Sequence, residues 1–162
     1  SNFQPRGLKE WIASFDKGGT ENAKRLIDQI QLSMNRCILD KLKSVYGEDW
    51  WYDGVPHNVR TKCATRKEED RGAYEPEQYL DLIDYKAIAM SSSNWSKVFH
   101  ECLVVSSQQG DKKKKLAWID HLNEIRKTVS HPERGLLTTE QVDFVNDLHR
   151  LLQGNLREYW QS

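Results

Sequence analysis

The sequence predicts an all-α protein, an antiparallel helical bundle of about five to six helices. Three observations predict it. Apolar residues recur at three- and four-residue steps through most of the chain. Residues that cap helices stand at the starts of these stretches. No alternating strand pattern competes with them. At 162 residues and 19.0 kDa, the chain has the length of one domain and can bury a real core.

Residues 1–17 read as an N-terminal segment with a short apolar start of Leu8, Trp11, Ile12 and Phe15, ahead of a bundle over 18–162. The opening Ser1-Asn2, without an initiator Met, looks like the scar of a trimmed affinity tag, which predicts a piece excised from a larger protein with other domains. Thr20 is the expected N-cap of a long helix ending at Tyr46 before Gly47, about 40 Å in length. Its apolar stripe is Ala23, Ile27, Ile30, Met34, Cys37, Ile38, Leu42 and Val45. "GEDWWYDGVP" is a connector, and Pro56 opens a helix over 56–71. A further helix spans 76–91 with Tyr79, Leu80, Leu82, Ile83, Ala87 and Ile88. Asn94 is the expected cap of a helix through Ser107, with Trp95, Val98, Phe99, Cys102 and Val105 inward. Asp111 caps "KKKKLAWIDHLNEIRKTVSH". Thr138 and Gln141 fit a capping box that opens a last helix to about Trp160, with Val142, Val145, Leu148, Leu152 and Leu156 on one stripe. Short polar turns between such helices favour antiparallel neighbours.

Composition narrows the function classes. Six Trp, six Tyr and four Phe argue against disorder. Lys plus Arg number 24, as do Asp plus Glu, so no bulk charge draws the chain to nucleic acid or membrane, and any nucleic-acid site must be a local patch. Cys37, Cys63 and Cys102 form no CxxC pair and read as reduced, packed thiols, which predicts an intracellular setting, cytoplasmic or nuclear. No apolar run has transmembrane length, so no membrane partner is expected. His57, His100, His121 and His149 show no metal-ligand spacing, and no metal or cofactor is expected.

Chemistry is plausible at "LNEIRKTVSHPERG", residues 122–135. Ile119, Leu122, Ile125 and Val129 form the core stripe of this helix, and Arg126 borders it. His131 follows five residues later, about 140° away on an ideal helix. Pro132 pushes residue 131 out of helical geometry, which frees the imidazole to swing toward Arg126. An arginine fork holds phosphate, histidine titrates near neutral pH, and RNA brings its own nucleophile in the ribose 2′-hydroxyl. A base and a cation suffice without a metal. The plain alternative is capping, since basic residues suit the last turn of any helix.

An arginine, four to six residues and a histidine at the end of a late bundle helix resembles the motif of HEPN domains. The surroundings match as well: "YGEDWWYDGVP", then "VRTKC", then "PEQYLDLIDY", with "NW" beyond it and "WIDHLNEIRKTVSHPERGLLTTEQVDFVNDLHRLL" carrying the motif. The resemblance covers roughly residues 22–153. It is to the branch found at the end of a nuclear PIN-domain endonuclease and in bacterial defence proteins. The resemblance implies a metal-independent endoribonuclease, acting as a homodimer whose two motifs share a cleft. It implies that Arg126 stabilises the scissile phosphate and that His131 is general base or acid. Products would carry a 2′,3′-cyclic phosphate and a 5′-hydroxyl. One position departs from the pattern: Lys127 stands where a small polar residue, often Asn, is usual. Lysine contacts phosphate but offers no amide acceptor to orient the arginine. Relatives that keep the fold and only dock RNA or dimerise supply the alternative reading.

Three further features bear on RNA. Residues 111–134 carry seven cations against four anions, and Lys112, Lys113, Lys114 and Lys115 form the only charge run, either a solvated face or an RNA backbone track. Asp84, in "LIDY", would hold Arg126 in position if its helix packs on that of Arg126, or else forms a structural salt bridge. Trp50, Trp51 and Trp95 read as packing anchors ahead of base-stacking platforms.

Overall fold

A computed structural model describes residues 17–105 and 110–160, so the expectations for Leu8, Trp11, Ile12, Phe15 and Ser107 fall outside the described residues. The fold is all-α, with no strand among the described residues. Helix α1 (Lys17–Tyr46) runs 30 residues, about 45 Å. It buries Ala23, Ile27, Ile30, Met34, Cys37, Ile38 and Leu42 almost completely, each at 1% exposure or less. Val45 does not join them: at the last turn Tyr46 packs against the core and Val45 lies exposed. Thr20 is not the N-cap, because α1 already starts at Lys17; its Oγ1 instead accepts from the Leu137 amide at 3.0 Å.

Gly47 takes φ +68° after α1, a left-handed conformation that favours glycine. A 3-10 turn (Gly47–Asp49) and α2 (Trp50–Gly54) follow, then α3 (His57–Glu69), with Pro56 extended at its N-cap. The expected helix over 76–91 is two elements. Pro76–Tyr79 form a 3-10 turn, Leu80 and Asp81 are extended, and α4 spans Leu82–Met90. The break has a local cause: the Asp81 side chain accepts from the Asp84 amide at 3.2 Å, and Asp84 accepts from the Asp81 amide at 3.0 Å. This capping box satisfies amides that a continuous helix would bond internally.

The expected helix from Asn94 starts two residues earlier and ends at Cys102, running without a break through α5 (Ser92–Asn94), a π turn (Trp95–Phe99) and α6 (His100–Cys102). Asn94 caps nothing. Its buried amide donates to the carbonyls of Gly54 at 2.7 Å and Ile88 at 2.9 Å and accepts from the Tyr46 hydroxyl at 2.6 Å. Gly54 is needed in this knot: a Cβ there would lie 2.7 Å from the Tyr46 ring. Helix α7 (Lys112–Lys115) is one turn, capped by Asp111 as expected, and it breaks at Leu116 before α8 (Ala117–Val129). Helix α9 (Thr139–Asn155) starts with the expected Thr138–Gln141 capping box and buries its whole expected stripe.

Cross-contacts give the helix directions. Thr20 meets Leu137, Gln29 meets His149 and Asp40 meets Tyr159, so α1 and α9 are parallel. Lys86 pairs with Asp120, and Lys112 reaches back to Met90, so α4 and α8 are antiparallel. His121 stacks on Phe144 at 4.0 Å while Trp118 and Lys114 share a groove with Leu148 and Leu151, so α8 and α9 are antiparallel too. Helices α4, α8 and α9 therefore alternate in direction, and α9 returns parallel to α1.

Asp84 is the most demanding group in this bundle, being a carboxylate at 1% exposure. Arg66, on α3, donates to its Oδ2 at 2.5 Å and to the Tyr79 carbonyl at 2.7 Å. Burial still pushes the Asp84 carboxyl above its usual range, against the pull of Arg66 and the Asp81 amide. Arg66→Ala should therefore cost about 3 kcal/mol in chemical denaturation, because it strands a buried charge. Arg66→Ala with Asp84→Asn should recover part of that loss. Strict additivity in the double-variant cycle would show that the two residues are uncoupled.

Candidate functional site

Helix α8 forms because its apolar residues fall on one face and its polar ones on the other. Ile119, Leu122 and Ile125 are at 1% exposure or less, and each contributes roughly 1.5–3 kcal/mol by burial. The last turn carries Arg126 and Lys127. The Ser130 amide closes the helix on the Arg126 carbonyl at 3.0 Å. His131 is then extended, at φ −125° and ψ 91°, as the following proline requires. Its backbone is pinned on both sides: the amide donates to the Thr128 carbonyl at 3.2 Å, and its own carbonyl accepts from the Arg134 amide at 2.8 Å.

The two side chains have separate tethers. Arg126 is half-buried, and its Nε and Nη2 donate to the Asn123 side-chain oxygen at 3.3 and 3.1 Å. No described carboxylate forms an ion pair with it. The His131 ring is 47% exposed and lies with Nδ1 3.2 Å from a Glu133 carboxylate oxygen. That contact favours the tautomer with the proton on Nδ1 and leaves Nε2 as the basic nitrogen. The Glu133 backbone amide first, then the His131 ring, hold the Glu133 carboxyl below its ordinary value. The imidazole lies beside Glu133. No hydrogen bond joins Arg126 and His131, which share one helix end without touching through one.

Other expected residues fare differently. Asp84 does not hold Arg126: Arg66 takes its carboxylate, and burial keeps it from any RNA. Lys127 forms an exposed pair with Glu124 at 3.2 Å, one turn back on the same helix. Lys112 Nζ donates to the Met90 carbonyl at 2.6 Å, at the open end of α4. The four lysines occupy a single turn, where successive residues point about 100° apart. Lys113 and Lys114 are exposed, and Lys115 is half-buried. Lys114 and Lys115 flank a groove of about 290 Å³ with Trp118, Phe144, Leu148 and Leu151. Trp50, Trp51 and Trp95 pack against the core as anchors. Among the described residues no cluster of His, Cys, Asp and Glu could hold a metal ion.

Asn123 and Glu133 were not singled out in the sequence. Asn123 lies three residues before Arg126, a spacing that makes helix neighbours, and that signal was readable. The Glu133 contact depends on the turn after Pro132 and had no periodic signal.

Set against protein-family models, curated proteins and solved structures, the chain matches none of them. No helix among the described residues is long and apolar enough to cross a membrane.

Lys112→Ala should lower Tm by about 2–4 °C, the equivalent of one hydrogen bond of about 1 kcal/mol in a domain of this size. Lys113→Ala should leave Tm unchanged in the same thermal melt. Equal shifts in both variants would remove the special role of Lys112.

Proposed function

We propose that this domain is a metal-independent endoribonuclease of the HEPN kind, with Arg126 and His131 as its catalytic residues. One observation carries the reading. A half-buried arginine with no ion pair among the described residues and an imidazole held through Nδ1 stand at the same helix end, each tethered by a different neighbour. A capping role alone needs only charge near the last carbonyls and no such tethers.

The chemistry follows from these groups. His131 Nε2 takes the proton of a ribose 2′-hydroxyl, and the oxygen attacks the adjacent phosphorus. The bond from phosphorus to the 5′-oxygen breaks, and that oxygen leaves as a 5′-hydroxyl by taking a proton from the imidazolium of a second copy of the chain. The other product end is a 2′,3′-cyclic phosphate. Arg126 binds the phosphate oxygens as negative charge gathers on them. One imidazole cannot act as base and acid at the same moment, so a homodimer that sets two motifs across one cleft suits the reaction. RNA and a second copy of the chain are the partners this reading implies, within a larger defence or RNA-processing protein.

A labelled RNA incubated with the protein in EDTA tests the proposal. The parent should cleave, and His131→Ala should slow cleavage by at least about a hundredfold. Arg126→Ala should be similarly impaired, but it also strands the Asn123 oxygen, so its Tm must be read beside its rate. Lys127→Asn should preserve or raise the rate. Cleavage by His131→Ala at the parent's rate would show that the site lies elsewhere. RNA binding without cleavage by the parent would leave the docking or dimerising role.

A further inference from the structure

Asn123 is 5% exposed and sits within the buried face of α8, between Leu122 at 0% and Ile125 at 1%. An amide at such a position costs stability unless its polar atoms are engaged. Its oxygen accepts from Arg126 Nε at 3.3 Å and from Arg126 Nη2 at 3.1 Å. Both donors lie in the guanidinium plane, on the same edge of it. The bond takes up one edge and leaves the end-on fork of Nη1 and Nη2 directed away from the amide.

We propose that Asn123 is the positioning residue of Arg126: it fixes the guanidinium plane so that the end-on fork meets the scissile phosphate. This rests on the ribonuclease reading above and deepens it. The amide is neutral, and that is its value here. A carboxylate in the same place would orient the arginine equally well but would take up its charge. Asn123 orients without neutralising, so the cation is available to the developing charge on the phosphate. The position after the arginine, occupied by Lys127 and committed to Glu124, is then not required to supply an acceptor. The acceptor comes from one turn earlier, inside the bundle, where packing limits its motion.

The test uses the intact chain with labelled RNA in EDTA and side-chain nitrogen–proton NMR of Arg126. In the parent, the Arg126 Nε proton should exchange with water more slowly than that of an exposed arginine such as Arg150. An Arg126 Nε proton that exchanges as fast overturns the proposal without any variant. Asn123→Leu keeps the volume and an apolar fit, so Tm should hold. Its Nε proton should lose protection, and kcat should fall about tenfold or more with KM nearly unchanged, the mark of a misplaced rather than a missing group. Asn123→Ala should give the same kinetic pattern with a lower Tm. A parent that cleaves while Asn123→Leu and Asn123→Ala keep its kcat removes this proposal alone. A parent that does not cleave removes the ribonuclease reading, and this proposal with it.

Discussion

Every part of the site depends on how α8 is fixed against its neighbours. Lys86 pairs with Asp120 and Lys112 holds the Met90 carbonyl, and together they set the register of α4 against α8. Ile119, Leu122 and Ile125 then face the core, and the same rotation leaves Arg126 at its edge. The helix cannot turn to bury Arg126 without lifting that stripe out of the bundle, at a cost of several kcal/mol. Tertiary packing thus decides which way the arginine points, and the proline after His131 decides where the helix stops.

Buried polar groups carry much of the specificity. Asn94 joins the ends of α1, α2 and α4 through three hydrogen bonds, and Gly54 makes room for the Tyr46 ring above it. Asp84 completes the capping box of α4 by accepting from the Asp81 amide, receives Arg66, and its Oδ1 has no partner among the described residues. Asn123 serves the guanidinium. Each would be cheaper as an apolar residue for stability alone, and each fixes a direction that an apolar residue would leave free. In the first two that direction shapes the fold; in the third it sets the direction of the Arg126 guanidinium.

The periodic stripes of α1, α8 and α9 were legible in the sequence because burial repeats with the helical turn, and almost all the residues on them are buried. The capping box at Thr138 and the cap at Asp111 were legible for the same reason: their signals are local. The helices over 76–91 and from Asn94 were read too long. Periodicity does not register a break made by Asp81 bonding to its own neighbours, or an Asn drawn into the core by three distant partners. At the site, the spacing to His131 and the bend at Pro132 were readable. The partner of Asp84 was not, because Arg66 lies 18 residues away on another helix. The position after the arginine drew attention from Asn123, which lies on the opposite side of it in sequence.

The most direct measurement is the chemistry of the cut ends. A short RNA and its copy with 2′-O-methyl at every position are incubated with the protein in EDTA, and the fragments are weighed by mass spectrometry. The account predicts fragments ending in a 2′,3′-cyclic phosphate from the RNA and no cleavage of the methylated copy. Fragments with a 3′-hydroxyl, or cleavage of the methylated copy, would contradict attack by the 2′-hydroxyl and with it the roles given to Arg126 and His131.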